Sequence, residues 1–226
     1  KEKNKTNNSR EELTMIQKYT WGTPIKTDAV VSDIPVSSGS PAFGQVSAAD
    51  GFRYSYSLDP EDIVFGLGEA NRGINKRGYI YTSFCTDDPI HTEDKVSLYG
   101  AHNFIIVSGK ETFGLFIDYP GALTFDIGYS HIDNMEITCE NADLDLYEIT
   151  GTDAYDITRQ FRRIIGKSYI PPKFAFGYGQ SRWGYKTKED FESVVNEYRE
   201  HHIPLDLLYM DIDYMDHYKD FTVNKE

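Results

Sequence analysis

The chain has 226 residues, of which 39% are hydrophobic, and its 23 basic and 36 acidic side chains give a net charge of −13. That apolar content suffices for a buried core in one large domain or two small ones. The acidic surplus repels phosphate backbones and anionic lipid, and no apolar run approaches membrane-spanning length, so neither nucleic acid nor a membrane is an expected partner.

Lys1 to Thr14 is charged and Asn-rich, lacks periodicity, and has no apolar core of the kind a secretory signal carries. It reads as a leader or tag, disordered, ahead of a chain that begins at Met15, and the absence of a signal points to a cytoplasmic protein. From Tyr19 to about Thr150 short apolar runs are punctuated by Gly, Asp, Asn and Pro. Phe52–Leu58 alternates, Phe104–Val107 and Phe113–Ile117 suit sheet cores, and Leu144–Tyr147 alternates again. Many short strands without a long helix predict a β-sandwich.

A helix follows. Thr152 or Asp153 can cap it, Tyr155, Ile157, Phe161, Ile164 and Ile165 form its apolar stripe, and Gly166 stands where a terminating glycine belongs. Tyr169-Ile-Pro-Pro172 makes a stiff extended joint. The predicted domains are therefore a sandwich over residues 15–168, with its closing helix, and a second domain from 169 to 226. Phe174–Gln180 reads as a buried strand, Thr187 with Asp190 as the start of a helix bearing Phe191, Val194, Val195 and Tyr198, and Leu205–Met210 as a second strand.

Strand, helix and parallel strand make a βαβ unit, which places the carboxyl ends of both strands on one edge, where α/β folds bind ligands. Trp183 and Asp211 both fall just past such an end. An aromatic plate and a carboxylate facing one cleft suit a sugar, whose C–H face stacks on the ring while its hydroxyls donate to the acid. The plain alternatives are a core tryptophan and a solvated loop carboxylate. In the run from Tyr209 to Met215 the acids Asp211 and Asp213 alternate with bulky apolar residues, which makes Asp211 the stronger candidate, while Asp213 is expected to accept from backbone amides or Arg182.

Asp87 and Asp88 lie in the acidic stretch Thr86–Asp94, which by its residues alone is a solvated loop. Neither acidic cluster matches a calcium loop, and Gly66-Leu-Gly68 and Gly177-Tyr-Gly179 are too short to cradle phosphate. No metal and no cofactor is expected. Cys85 and Cys139, the only cysteines, are read as reduced, packed thiols.

Phe176-Gly-Tyr-Gly-Gln-Ser-Arg-Trp-Gly-Tyr185, Tyr209-Met-Asp-Ile-Asp-Tyr-Met215 and Lys219-Asp-Phe-Thr222 together resemble the first two barrel strands of glycoside hydrolase family 31, most closely its bacterial α-glucosidases of the isomaltase type. Upstream, Phe65-Gly-Leu-Gly-Glu69, Asn75-Lys-Arg-Gly78, Cys85-Thr-Asp-Asp-Pro89 and Tyr169-Ile-Pro-Pro-Lys173 extend the likeness over nearly everything after Met15. The resemblance implies a β-sandwich followed by a (β/α)8 barrel that stops after its second strand, since only about 54 residues follow Pro172 where a full barrel takes about 250.

It also implies a sugar site. Asp211 would accept hydroxyls in the −1 subsite, Ile212 would line that pocket, and Trp183 would border the −1 and +1 subsites where many relatives carry Tyr. Asp87 would reach the pocket on a loop from the sandwich, with Asp88 and His91 as lesser candidates. The implied activity is retaining hydrolysis of terminal α-linked glucose from short oligosaccharides, with both catalytic aspartates on later strands and so no catalytic residue in these 226 residues. The expected partners are that oligosaccharide and the remainder of the barrel, and this stretch alone is expected to be inactive. The competing readings are a noncatalytic carbohydrate-binding sandwich and an α-xylosidase of the same fold.

Overall fold

The structure, a computed structural model, describes residues 15–225. The leader expected over residues 1–14 lies outside the described residues. The chain separates into two compact units, Lys1–Lys167 and Ser168–Glu226.

Among the described residues, ten strands build the first unit: β1 Ile16–Trp21, β2 Gln45–Ser47, β3 Phe52–Ser57, β4 Ile63–Gly66, β5 Tyr79–Ser83, β6 Phe104–Ser108, β7 Thr112–Asp118, β8 Leu123–Ile127, β9 Asn134–Cys139 and β10 Leu144–Thr150. They form two five-stranded sheets, ordered β1-β10-β7-β6-β4 and β2-β3-β9-β8-β5, antiparallel throughout. Residues of both sheets share one apolar cluster, including Val64, Ile105, Leu115 and Leu146 from the first and Phe52, Phe125, Met135 and Ile137 from the second. The unit is thus a β-sandwich.

The two sheets read differently in sequence because only one has a covered outer face. In β8, Leu123, Phe125 and Ile127 are buried while Thr124 and Asp126 are half-buried, the alternation of a sheet with one wet side. In β7 and β10 almost every residue is buried. Their second face meets helix α1, Ala154–Ile165, whose Ile157 and Ile164 pack with Ile106, Phe116, Tyr147 and Ile149. Phe161 stacks on Phe104 at 3.8 Å between centroids and meets Phe116 edge-on at 5.2 Å. Burying the two fully covered isoleucines contributes about 3–6 kcal/mol. Of the two expected caps it is Asp153 that accepts from Asp156 N at 2.8 Å, and Gly166 ends the helix at φ 85°.

The alternation expected for Leu144–Tyr147 does not occur, because the polar residues of β10 are buried as well. Asp145 is paired with Lys18 at 2.8 Å and accepts from Thr20 Oγ1 at 2.6 Å. Glu148, 1% exposed, accepts the backbone amides of Ala42 and Phe43, each at 2.9 Å. Burial pushes its carboxyl above the usual range, with the two amides opposing. Cys139 is half-buried and its thiol is pushed up by burial, but Cys85 is exposed, against expectation, because it sits on a loop.

In the second unit Lys173–Phe176 is a 3-10 turn, not strand: Ala175 N donates to Pro172 O and Gly177 N to Phe174 O. Phe174 and Phe176 are exposed; an apolar run without alternation cannot by itself separate strand from turn. The strand begins later, as β11 Gly179–Ser181, and pairs in parallel with β12 Leu207–Tyr209. Gly177 is needed just before it, since a Cβ there would lie 2.0 Å from the Asp206 carboxylate that accepts Tyr178 N. Helix α2, Lys188–Glu200, connects the strands. It opens on a complete capping box, Asp190 N donating to Thr187 Oγ1 at 3.2 Å and Asp190 accepting Thr187 N at 2.9 Å.

Candidate functional site

In the second unit the βαβ register positions the candidates. Ser181 of β11 is level with Tyr209 of β12, and Trp183 and Asp211 each follow two residues later. Adjacent strands run about 4.8 Å apart, so indole and carboxylate leave neighbouring strands at the same height on the carboxyl edge. Trp183 is 72% exposed in this chain. The buried aromatic here is Tyr185, which packs edge-on against Phe191 and accepts from Gln180 Nε2. Gln180 Oε1 accepts from both Tyr178 and Tyr198 hydroxyls, at 2.8 and 2.7 Å. The Tyr178 contact and desolvation push the Tyr198 phenol up to about 12. These bonds tie β11 to α2 beneath the rim.

Asp211 is half-buried and has φ 52°, a left-handed conformation that Asp tolerates better than most residues and that recurs at functional positions. Residues 211–214 are a turn, so Asp211 and Asp213 do not alternate along an extended strand as expected. Ile212 is 44% exposed beside them. Asp213 accepts from Tyr218 Oη at 3.3 Å, where Arg182 or backbone amides were the expected donors.

A separate group of sequence-predicted candidates lies in the first unit. Residues 84–103, between β5 and β6, carry no regular secondary structure, and connections of that length in compact domains are commonly functional. The base of this finger is closed by Ser83 Oγ donating to Asn103 Oδ1 at 2.5 Å, and its stem by Thr86 N to Leu98 O at 2.8 Å and Thr82 N to Val96 O at 2.9 Å. Asp87 and Asp88 differ in what holds them. Asp88 is engaged by the Lys95 ammonium and by Ile90 N at 2.9 Å, and the Lys95 contact above all holds its carboxyl below the usual range. Asp87 is exposed, with the Tyr99 hydroxyl as its neighbour; partial desolvation and then this contact raise the Tyr99 phenol. His91 lies edge-on to the same Tyr99 ring at 5.5 Å. Reading the residues in order passes over Tyr99, because nothing local joins it to Asp87. Among the described residues, no group of three or more His, Cys, Asp or Glu is placed to hold a metal ion, and no helix is long and apolar enough to cross a membrane.

A two-sheet sandwich followed in the chain by a β-α-β unit, with an aromatic and an acid just past its strands, defines a sandwich domain and the start of a β/α barrel. Two family models match the chain: the glycosyl hydrolase 31 N-terminal galactose mutarotase-like domain over residues 3–126, beginning ahead of Met15, and the glycosyl hydrolases family 31 TIM-barrel domain over 168–226. The chain belongs to glycoside hydrolase family 31. It is 32% identical to alpha-glucosidase 2 of Bacillus thermoamyloliquefaciens, over 74% of this chain and 22% of that protein. It is 31% identical to glucoamylase 1 of Schwanniomyces occidentalis, over 75% and 18%. Among solved structures it resembles a Flavobacterium johnsoniae family 31 dextranase complexed with isomaltotriose, with TM-score 0.70 and 27% identity over 75% of this chain and 21% of that one. The chain thus spans about a fifth of the length of the relatives it matches.

Proposed function

We propose that the chain is the N-terminal portion of a retaining α-glucosidase that removes terminal α-linked glucose, through α-1,6 and/or α-1,4 linkages, from short oligosaccharides. The observation that carries this reading is the level placement of exposed Trp183 and left-handed Asp211 beyond paired parallel strands, in a chain of family 31. Asp211 accepts hydroxyls of the glucose being cleaved, Ile212 lines its pocket, Trp183 flanks the leaving sugar, and Asp87 contributes a second acceptor. Asp88 is already engaged by Lys95 and is the weaker acceptor. The inclusion of α-1,6 linkages draws support from the likeness to a dextranase complexed with isomaltotriose.

Retention needs two carboxyl groups about 5–5.5 Å apart flanking an oxocarbenium-like transition state. Asp211 and Asp213 share one turn and are not that pair, Asp211 serving binding and Asp213 a structural role; the catalytic pair comes from later strands. In the full-length enzyme, Asp211→Asn and Asp87→Asn each remove a charged acceptor worth about 1.5–3 kcal/mol, so kcat/KM on p-nitrophenyl α-glucoside falls about 10- to 150-fold. Residues 1–226 release no p-nitrophenol. Trp183→Tyr changes the isomaltose-to-maltose turnover ratio. Full activity in both aspartate variants, or turnover by residues 1–226, contradicts the proposal.

A further inference from the structure

The finger that carries Asp87 has little apolar anchorage. Leu98 is buried, but Phe84, Ile90, Val96 and Tyr99 are all exposed, and a polar hollow of about 630 Å3 separates it in part from the turn at residues 70–76, with Asn71, Arg72, Lys76, His91 and Glu93 in its lining. Segments with few buried apolar contacts open readily, so something else must fix the position of Asp87.

That turn is built around an ammonium. Lys76, 4% exposed, donates to the carbonyls of Gly73, Ala70 and Asn71 at 2.7, 3.0 and 3.3 Å. Wrapped in this way, the turn presents Asn71 and Arg72 toward the finger. Asn71 Nδ2 donates to Thr92 O at 2.7 Å, Arg72 Nε to Glu93 O at 2.8 Å and Arg72 Nη2 to Asp94 O at 2.6 Å, three consecutive carbonyls of the finger. Arg72 Nη1 donates in turn to Ile80 O of β5 at 3.1 Å, and the guanidinium lies 4.7 Å from the Tyr79 ring centroid and 5.6 Å from that of Tyr81. One planar group therefore joins the finger to a strand of the sandwich. The residue adopts φ 72° to do so, a backbone strain that a residue other than Gly bears only where its surroundings compensate.

We infer that Arg72, seated by Lys76 and assisted by Asn71, is a positioning residue that clamps the 84–103 finger and so sets where Asp87 stands. The inference rests on the proposed sugar-binding role of Asp87. Arg72 grips backbone, not side chains, so the clamp reads the path of the finger and tolerates changes of side chain at 92–94. A lysine at 72 keeps the charge but lacks the fork that reaches several carbonyls at once.

The test uses the full-length enzyme with p-nitrophenyl α-glucoside and amide hydrogen exchange. In Arg72→Ala and Arg72→Lys alike, exchange over residues 86–97 accelerates at least about tenfold while β1 and β10 stay protected. KM rises about tenfold and kcat changes less than about threefold, the signature of lost ground-state positioning. Asn71→Ala, which removes one grip and leaves the guanidinium in place, moves both readouts the same way by less and serves if the Arg72 variants fail to fold. Unchanged exchange over 86–97 overturns the clamp. If Asp87→Ala raises KM and Arg72→Ala does not, the clamp alone fails. If Asp87→Ala leaves KM unchanged, the sugar-site reading fails and takes the positioning role with it.

Discussion

Substituting Gly114 by Ala tests how closely α1 is seated on the sheet. Gly114 lies in β7 between Ile149 of β10 and Ile106 of β6, and it is not among the positive-φ glycines. On backbone grounds Ala would stabilise by about 0.4–1 kcal/mol through the unfolded state. The tertiary structure reverses the sign. A Cβ at this position stands 2.6 Å from Ile157 Cγ2 and 3.3 Å from Phe104 Cε2, where carbon atoms prefer about 3.5–4.0 Å. Ile157 is fully buried, and its β-branched side chain is stiff in a helix, so it cannot swing aside. The helix must lift, loosening the stack of Phe161 on Phe104. Overpacking costs about 1–3 kcal/mol, which leaves a net loss of up to about 2.6 kcal/mol and a drop in Tm of up to about 10 °C for a unit of this size. Equilibrium urea unfolding of residues 1–167, which hold both sheets and α1, measures it. Ile157→Ala alone costs about 2–5 kcal/mol, but in the Gly114→Ala background it costs at least about 1 kcal/mol less because the collision is gone. A Gly114→Ala protein as stable as its parent, or strictly additive costs in the double variant, would refute the reasoning.

Two further outcomes are expected. The Glu148 carboxyl is raised in the folded state by burial, so its stabilising contribution is fully present below the unfolded value of about 4.3 and lost as pH rises through the higher folded value. Urea midpoints of the wild type relative to Glu148→Gln, which does not titrate, therefore decline with rising pH; a gap that widens with pH contradicts the assignment. In the second unit Tyr185 is the one buried hydrophobic residue among those described, while Tyr169, Ile170, Phe176, Trp183 and Phe221 are each more than 70% exposed. Residues 168–226 alone should accordingly give a coil-like circular dichroism spectrum without a cooperative transition, while residues 1–167 melt cooperatively. A sharp melt of the 168–226 piece would show that it needs no further cover.

Local chemistry was sufficient for much of this protein. The strand-rich first unit, the Asp153 cap and Gly166 stop of α1, and the Thr187 and Asp190 start of α2 were all legible, because alternation and capping depend on neighbours within a few residues. So was the placement of Trp183 and Asp211 just past their strands, while the family was legible as a resemblance carried by motifs along the chain. The onset of β11 was not, because the aromatic run at 174–176 looks the same as turn or strand until its hydrogen bonds are known. Nor was the burial of Asp145 and Glu148, which is decided by Lys18, Thr20 and the amides of Ala42 and Phe43, 100 or more residues away in the chain. The distinction between Asp87 and Asp88 depends on Lys95 and Tyr99, and the grip of Arg72 on the carbonyls of Glu93 and Asp94 depends on a loop closing back over more than 20 residues. Period and capping are properties of a segment, whereas a buried charge or a clamped loop needs partners that only the folded chain assembles.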